Sequence, residues 1–374
     1  LAGGQPRHVC GSPLLTSPYT TAPAGAVTVP AGDDTTTLMS NGGYLYLDYD
    51  LAPDTTYWFA PGTHTLGTGQ YNQIQPANGD TFIGAPGAIL DGQGDNLTAF
   101  EANNSHFKYL ASNVNIEYLT IANFAAPNGQ GAVNQDEGPG WTVKYDTVEG
   151  TVGHSSTIAG GAGLEMGSGD VYEYNCLTHN GEYALNAGGN GTTFDYNEVS
   201  YNGGADFPDN NCGCSGGAKW WATTNATVEG NYVHDNYNVG LWFDTNNSGD
   251  LIQGNYISAN WAQGVVEELS YNAMITANTF VDNGWGNGST YAGGFPYGDA
   301  IYINASGGSA AVDGGKYSTF TVSDNTFTDN WDGVVVYQNA DRTCATGANG
   351  GSAAGYCTLV EPSLYTTTSC TSHD

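Results

Sequence analysis

Basic side chains are scarce in this chain of 374 residues, which contains only six lysines and arginines. Its 37 aspartates and glutamates are an ordinary number, so the formal net charge of −31 arises from the missing cations. Such a surface repels nucleic acid and anionic membranes, and the sequence predicts neither as a partner. Because this composition is typical of secreted proteins that work in acidic or protease-rich surroundings, we predict an extracellular location.

Long apolar runs are also missing, so no transmembrane segment is predicted. No signal peptide is present, and because the chain begins at Leu1 we expect that a leader has been removed. With 14 prolines and no Gly-X-Y period, the 55 glycines do not indicate collagen. Together with the many asparagines and 25 tyrosines, they indicate short strands joined by tight turns.

The seven cysteines form an odd set, which leaves one thiol unpaired or paired outside the chain. Cys344 and Cys357 bracket the loop TCATGANGGSAAGYC, and we predict that a disulfide closes it. A metal site is a weak alternative, because Cys212-Gly-Cys214 lacks the two-residue spacer of common zinc knuckles. The sequence leaves the pairing of the other cysteines open; they are Cys10, Cys176, Cys212, Cys214 and Cys370.

Seven segments align on a repeated asparagine position, from TVKYDTVEG to TVSDNTFTDNWDG. The first column contains Asp146, Asn175, Asn197, Asn231, Asn255, Asn278 and Asn325. In every segment an apolar residue lies two positions after the first column. Six segments carry a second asparagine five positions after the first column. This second column contains Asn180, Asn202, Asn236, Asn260, Asn283 and Asn330. The spacing is roughly 23 residues or a multiple of it, with insertions before the fourth and seventh segments.

A period of this length with alternating strands predicts an all-β solenoid, in which each turn of the chain (a rung) adds one strand to several parallel sheets. Helical repeats would need runs of Ala, Leu, Glu and Lys, and a leucine-rich repeat would need a leucine ladder. A buried asparagine can bond the asparagine of the next rung and the bent backbone. The pattern resembles the right-handed parallel β-helix of the pectate-lyase superfamily, most clearly over residues 110–340.

We therefore expect a single β-helix domain over residues 1–374. In it, residues 1–110 form an N-terminal cap and the first irregular rungs, and residues 111–340 form the regular rungs. Residues 341–374 form a C-terminal cap.

The strand after the second asparagine reads GLWFD at 240–244 and GVVEE at 264–268 on adjacent rungs. Asp244 and Glu268 each lie 13 residues after their first-column asparagine, so they share one register. Strand alternation then points Leu241 inward and Asp244 and Glu268 outward. It also points Glu267 inward, which predicts either that the strand has ended or that it contains a bulge.

The same outward face predicts a groove in which aromatic rings stack on sugars and polar groups bind hydroxyls. An insertion makes Trp220 an alternative to Trp221 in this set. The predicted substrate-binding residues are Lys219, Trp221, Trp242, Tyr302, Asn304 and Tyr337, with Glu165 and Asn186 from earlier rungs. The paucity of positive charge favours neutral glycans.

Two carboxyls on neighbouring strands should lie about 5 Å apart, the separation of retaining glycosidases. At that distance a protonated general acid can stand beside an ionised nucleophile. The segment GLWFD…VVEELSYN also resembles β-helical glycoside hydrolases, including β-xylosidases, which carry an acid in a G-L/V-W-x-D strand and a glutamate one rung later. The resemblance implies that Asp244 is the nucleophile and Glu268 the acid/base.

Other interpretations stay open. A polysaccharide lyase of this fold would use Lys219 as base and would bind calcium at Asp244 and Glu268. The two acids could also be a surface coincidence, a structural calcium site or a stacked ladder, and the protein a non-enzymatic glycan-binding adhesin. We predict a monomer with a polysaccharide or oligosaccharide substrate and no cofactor, and the sequence leaves a structural or catalytic calcium ion open.

Overall fold

The computed structural model describes residues 5–34, 38, 52–104, 109–151, 160–204, 215–290, 298–304, 306 and 319–337. The chain divides into an N-terminal unit of residues 7–215 and a C-terminal unit of residues 216–374 together with residues 1–6. The single domain with two caps stays a prediction. The expected C-terminal cap, the Cys344–Cys357 bond and Cys212, Cys214 and Cys370 lie outside the described residues.

The N-terminal unit consists of short strands and a 3₁₀ helix at Pro13–Leu15. Parallel pairing runs in the orders β1-β3-β5-β10-β13-β16-β19, β2-β4-β6-β11-β14-β17-β20 and β7-β12-β15-β18, while β8 and β9 pair antiparallel. The strands are β1 Val27–Val29, β2 Gly32–Asp33, β3 Thr56–Phe59, β4 Gly62–Thr65, β5 Thr81–Gly84, β6 Ala88–Asp91, β7 Phe100–Glu101, β8 Asn103–Asn104, β9 Tyr109–Leu110, β10 Asn115–Glu117, β11 Thr120–Ala122, β12 Gly131–Gln135, β13 Thr142–Lys144, β14 Thr147–Glu149, β15 Ala162–Met166, β16 Val171–Glu173, β17 Cys176–Thr178, β18 Tyr183–Ala187, β19 Thr193–Asp195 and β20 Glu198–Ser200.

The C-terminal unit has the same organisation, with parallel orders β22-β25-β28-β31, β23-β26-β29-β32 and β21-β24-β27-β30-β33. We call the last of these the site sheet. The elements are β21 Gly216–Trp221, β22 Thr227–Glu229, β23 Tyr232–His234, β24 Val239–Asp244, β25 Leu251–Gln253, β26 Tyr256–Ser258, β27 Val265–Glu268, β28 Met274–Thr276, β29 Thr279–Val281, α1 Trp285–Thr290, β30 Asp299–Asn304, β31 Thr321–Ser323, β32 Thr326–Thr328 and β33 Asp332–Tyr337.

Like side chains stack on like side chains inside the C-terminal unit, because each strand pairs in register with the strand one rung away. In β22, β25 and β28, Val228, Ile252 and Ile275 are fully buried. On the site sheet, Trp220 stacks on Phe243 with ring centroids 4.7 Å apart. Each large apolar side chain buried in this way contributes about 1.5–3 kcal/mol to stability.

The predicted asparagine ladders are confirmed. In the first column Asn255 donates from Nδ2 to Asn278 Oδ1 at 3.0 Å and to the Val228 carbonyl at 2.9 Å. The second column repeats the contact, with Asn260 Nδ2 at 2.9 Å from Asn283 Oδ1. The residue before each first-column position has a left-handed backbone, such as Ala277 at φ 55°. The side-chain amides therefore satisfy backbone groups that the bend leaves without strand partners.

A disulfide between Cys10 and Cys176, which the sequence left open, ties the start of the N-terminal unit to β17. The carboxylate of Glu198 reinforces this tie by accepting hydrogen bonds from the backbone amides of Val9 and Cys10. The Arg7 guanidinium lies over the rings of Tyr174 and Tyr196 in the same region. The segment that begins the unit is therefore held by covalent, polar and cation–π contacts.

The predicted all-β fold is confirmed, because the parallel orders and the stacked interior of both units are those of a parallel β-helix. In the part of the chain that the structure describes, no helix has the length and apolarity that crossing a membrane requires.

Candidate active site

The site sheet aligns its outward side chains in two columns. One column runs from Trp221 through Asp244 and Glu268, and the register then continues to Asn304 and Tyr337. The other column contains Lys219, Trp242, Val266, Tyr302 and Val335. Asp244 and Glu268 therefore occupy equivalent positions on adjacent strands, as the repeat predicted.

The open alternative between the two neighbouring tryptophans is resolved by burial. Trp220 is completely buried in the interior, and Trp221 is 39% exposed and pairs with Asp244. Trp221 is therefore the outward residue.

The outward face is more recessed than the expected open groove. Trp242 is 9% exposed, and Asp244 and Glu268 are each 8% exposed. Tyr302 is buried as well, while Asn304 and Tyr337 are half-buried. The two carboxyls therefore lie in a largely desolvated setting, in which charges interact more strongly than in water.

Lys219 and Thr245 hold the carboxylate of Asp244 from two sides. The Lys219 ammonium lies 2.9 Å from Asp244 Oδ2, and the Thr245 hydroxyl donates to Asp244 Oδ1 at 2.8 Å. The same ammonium lies 4.2 Å from the centre of the Trp242 ring and 5.4 Å from that of Trp221. The ion pair and the hydrogen bond together fix the orientation of this carboxylate.

Glu268 has a different environment from Asp244. Its Oε1 accepts a hydrogen bond from Asn304 Nδ2 at 3.3 Å. Asp244 thus contacts the Lys219 ammonium, and Glu268 accepts a hydrogen bond from the Asn304 amide.

A ladder of turn side chains fixes the ends of the strands that carry these residues. Asn247 Nδ2 donates to the Asp244 carbonyl at 2.8 Å, and the Ser270 hydroxyl donates to the Glu268 carbonyl at 2.8 Å. Thr245 and Leu269, which directly follow the two acids, both have left-handed backbones at φ 52° and 50°. Sequence reasoning missed Thr245 and this ladder, although the hydroxyl and amide residues just after each acid were a signal.

The prediction of a bulge or a strand end at Glu267 is wrong. Strand β27 is regular through Glu268, and Glu267 pairs with Phe243 and Ile303 in the core. Neither carboxyl oxygen of Glu267 has a hydrogen-bond partner. Burial, with a smaller effect from Asp250, raises the pKa of Glu267 well above its ordinary value, so this side chain can stay in the core as a neutral acid.

Glu165 and Asn186, the two predicted binding residues from earlier rungs, lie in the N-terminal unit and pair with each other in register. The carboxylate of Glu165 accepts the backbone amides of Gly131 at 2.6 Å and Asp136 at 3.0 Å. Burial is the main reason that its pKa rises to about 8. Asn186 donates to the Gly129 carbonyl at 3.3 Å. These contacts support the local backbone, and substrate binding by the two residues stays a prediction.

No group of three or more His, Cys, Asp or Glu side chains among the described residues has an arrangement that could hold a metal ion. The carboxylate of Asp244 is paired with the ammonium of Lys219. A calcium ion at Asp244 and Glu268, which the sequence left open, stays an open alternative.

Comparison with known proteins identifies the fold. The family model described as the right-handed beta helix region matches residues 166–349. No curated protein sequence matches the chain significantly.

Three solved structures illustrate the similarity. The Agl-KA catalytic domain is 15% identical, with 84% of this chain and 58% of that chain covered and a TM-score of 0.53. The A-module of mannuronan C-5 epimerase AlgE4 from Azotobacter vinelandii is 12% identical, covering 84% and 96%, with a TM-score of 0.48. Endo-xylogalacturonan hydrolase from Aspergillus tubingensis is 14% identical, covering 81% and 74%, with a TM-score of 0.42. The family match and the parallel strand orders together show that the chain has the fold of a right-handed parallel β-helix.

Proposed function

We propose that this protein is a glycoside hydrolase that cleaves a polysaccharide or oligosaccharide with retention of configuration. The observation that carries the proposal is the register pair of Asp244 and Glu268 on adjacent strands of the site sheet. Neighbouring strands lie about 4.8 Å apart, so two carboxyls in one column match the separation of about 5 Å found in retaining glycosidases.

The contacts of the two acids support a role for each. Asp244, held in place by Lys219 and Thr245, attacks the anomeric carbon. At the same time Glu268 gives its proton to the leaving glycosidic oxygen, so the glycosidic bond breaks and an ester bond to Asp244 forms. Water then attacks the anomeric carbon, Glu268 takes the proton of that water, and the ester breaks to release the sugar.

The aromatic side chains of the two columns support sugar binding. Trp221 presents an exposed ring beside Asp244, and Tyr302 and Tyr337 lie on strands beyond Glu268. Ring faces of this kind stack on the apolar faces of sugars. The extended row of outward residues favours a chain of sugar units over a single small ligand.

The contacts of Lys219 support hydrolysis over β-elimination. A lyase base must accept a proton from the carbon next to a uronate carboxylate. The Lys219 nitrogen instead donates to Asp244 and lies over the Trp242 ring, both of which stabilise an ammonium. An ammonium in these contacts has no lone pair with which to accept that proton.

We also propose that the protein is secreted and monomeric. The scarcity of basic residues and the Cys10–Cys176 disulfide support an oxidising, extracytoplasmic location.

The deciding experiment is digestion of a glycan panel, with the product anomers followed by NMR. We expect release of a sugar with retained configuration, and a loss of at least about 10³-fold in kcat for Asp244→Asn and for Glu268→Gln. Asp282→Asn is the matched control, because Asp282 is an exposed acid on a turn of the same unit and should keep full activity.

Three outcomes would contradict the proposal. An inverted product would refute the close carboxylate pair. A product that absorbs near 235 nm would instead identify a lyase. If the wild-type protein bound glycans but processed none, the adhesin interpretation would replace the enzyme.

A further inference from the structure

Two polar atoms beside the carboxylate pair are buried without any hydrogen-bond partner. They are the indole Nε1 of Trp242 and the amide Oδ1 of Asn304. Burying an unpaired donor or acceptor costs free energy, so such groups in a native site require an explanation. Both residues belong to the outward columns, which places the two unpaired atoms at the candidate active site and not in the interior.

The two residues neighbour the acids in different directions. Trp242 precedes Asp244 by two positions on the same strand, β24, and Asn304 pairs with Glu268 from the next strand, β30. The strands β24 and β30 are separated by two strand spacings, about 10 Å. A sugar bound over Asp244 and Glu268 therefore has one unpaired group beside Asp244 along its strand and the other one strand beyond Glu268.

The Lys219 ammonium covers one face of the Trp242 indole, 4.2 Å from the ring centre, so a sugar cannot stack on that face. The polar atom of Trp242 that lacks a partner is Nε1, at the edge of the ring. The indole N–H lies in the plane of the ring and can donate only, so it needs an acceptor oxygen.

The amide oxygen of Asn304 needs the opposite kind of partner. Its Nδ2 already donates to Glu268, so the orientation of the amide is set and Oδ1 is left as an acceptor. The ionised carboxylate of a uronate has no proton to donate to Asn304 Oδ1, whereas a sugar hydroxyl both donates and accepts. A sugar hydroxyl can therefore satisfy either atom, as can the acetamido group of a neutral amino sugar, whereas a carboxylate can satisfy only the indole N–H.

The charges of the site also favour a neutral sugar over a uronate. Among the described residues of the C-terminal unit, Lys219 is the only lysine or arginine, and its ammonium is paired with Asp244. A uronate carboxylate bound there would face Asp244 and Glu268, and no second lysine or arginine in the described part of this unit could neutralise it, which is unfavourable.

We propose that Trp242 and Asn304 are the specificity-determining residues of the site, and that each binds a hydroxyl of a neutral sugar unit through the atom now unpaired. This inference rests on the proposed function for the location of the sugar. It adds the substrate class and the two groups that recognise it.

The test measures binding separately from cleavage, with the full-length Glu268→Gln protein in calorimetric titrations. The probes are xylotriose, arabinotriose and β-1,4-galactotriose on the neutral side, and trigalacturonate and trimannuronate on the charged side. We expect at least one neutral trisaccharide to bind at least about tenfold more tightly than either uronate, since each 1.4 kcal/mol corresponds to a factor of ten.

Monodeoxygenated versions of the trisaccharide that binds identify the two contacts. Removal of a recognised hydroxyl should weaken binding about three- to tenfold. For one hydroxyl, its removal should no longer weaken binding in Trp242→Phe, and for another it should no longer weaken binding in Asn304→Ala. The deoxy series on the Glu268→Gln protein, in which Trp242 and Asn304 are intact, needs no further variant. Circular dichroism and the thermal midpoint verify that the two variants fold.

The outcomes separate this inference from the proposed function. The inference is supported if a neutral trisaccharide binds, and if the contributions of two of its hydroxyls to affinity depend on Trp242 and on Asn304. It is supported even if no cleavage is found, in which case only the hydrolase proposal fails. Tighter uronate binding, no binding of any probe, or deoxy losses that persist unchanged in both variants would overturn the inference, whatever the catalytic result.

Discussion

The ammonium of Lys219 lies 2.9 Å from a carboxylate oxygen of Asp244, and both side chains are about nine-tenths buried. This ion pair joins adjacent strands of the site sheet, β21 and β24. An ion pair that has lost most of its water depends strongly on both members being present, because either charge alone would be buried without compensation.

Methionine keeps the apolar stem of Lys219 and removes only its charge. Replacing Lys219 by Met should therefore destabilise the protein by about 3–5 kcal/mol, because the carboxylate of Asp244 loses its cationic partner. Urea denaturation measures the change. The double variant Lys219→Met with Asp244→Asn should recover part of the loss, since no charge then remains unpaired.

The matched control for this pair is Lys144→Met. Lys144 contacts Glu173 at 2.8 Å, but their side chains are 33% and 23% exposed. Water can replace Lys144 as the partner of Glu173, so we expect Lys144→Met to lower the free energy of unfolding by less than about 1 kcal/mol. Equal losses at the two sites would show that burial does not control the strength of the Lys219 pair.

Stability should be highest in acid and fall as the pH rises from about 4 to 8. Burial raises the pKa of Asp250 to about 7 and that of Asp170 to about 8, and raises that of Glu267 well above its usual value. In the unfolded chain these groups titrate near pH 4. The folded state binds more protons in this interval, so its extra stability is full below pH 4 and is lost as the pH rises through the folded pKa values.

Thermal unfolding at pH 4, 6 and 8 measures this dependence. In Glu267→Gln the titrating group is removed, and the decrease in stability between pH 4 and pH 8 should become smaller. A wild-type protein that is more stable at pH 8 than at pH 4 would contradict the neutral state of these buried acids.

Substitution of Asn255 by Ala should cost about 3 kcal/mol or more. Its side chain accepts from the backbone and amide of Asn231 at 2.9 and 3.0 Å and donates to Asn278 and the Val228 carbonyl, all buried. Each buried partner left unpaired costs about 1–3 kcal/mol. The denaturation midpoint measures the loss.

Asn325 provides the comparison for this ladder. It holds the equivalent position one rung beyond Asn278 and is half-buried, so water can reach the groups that its removal exposes. Asn325→Ala should therefore cost clearly less than Asn255→Ala. Similar losses would mean that ladder strength does not depend on exclusion of water.

Loss of the Cys10–Cys176 disulfide should destabilise the N-terminal unit. The bond joins residues separated by 166 positions, and cross-links over long loops restrict the unfolded chain by about 4–5 kcal/mol in the chain-entropy model. We expect Cys10→Ser, or reduction of the wild type, to lower the midpoint of urea denaturation. The hydrogen bonds of Glu198 remain in both cases, so the rungs themselves should stay folded at neutral pH without urea.

The repeat in the sequence was sufficient to predict the β-helix, the two asparagine ladders and the shared register of Asp244 and Glu268. These features depend on short-range alternation and on a period that every rung repeats, and both are visible in the order of residues. The same alternation placed Trp221 beside Asp244 with Trp220 as an alternative, and the structure shows Trp221 in the outward column.

Only the tertiary structure decided the features that have no period. The ion pair of Lys219 with Asp244, the burial of both acids, and the unpaired atoms of Trp242 and Asn304 depend on side-chain packing across strands. Glu267 shows the limit most clearly, because the sequence suggested a break in the strand. The core instead accepts its carboxyl group, since burial keeps that group neutral. Register can be read from spacing along the chain, whereas desolvation and pairing are set by neighbours that the chain brings together only when it folds.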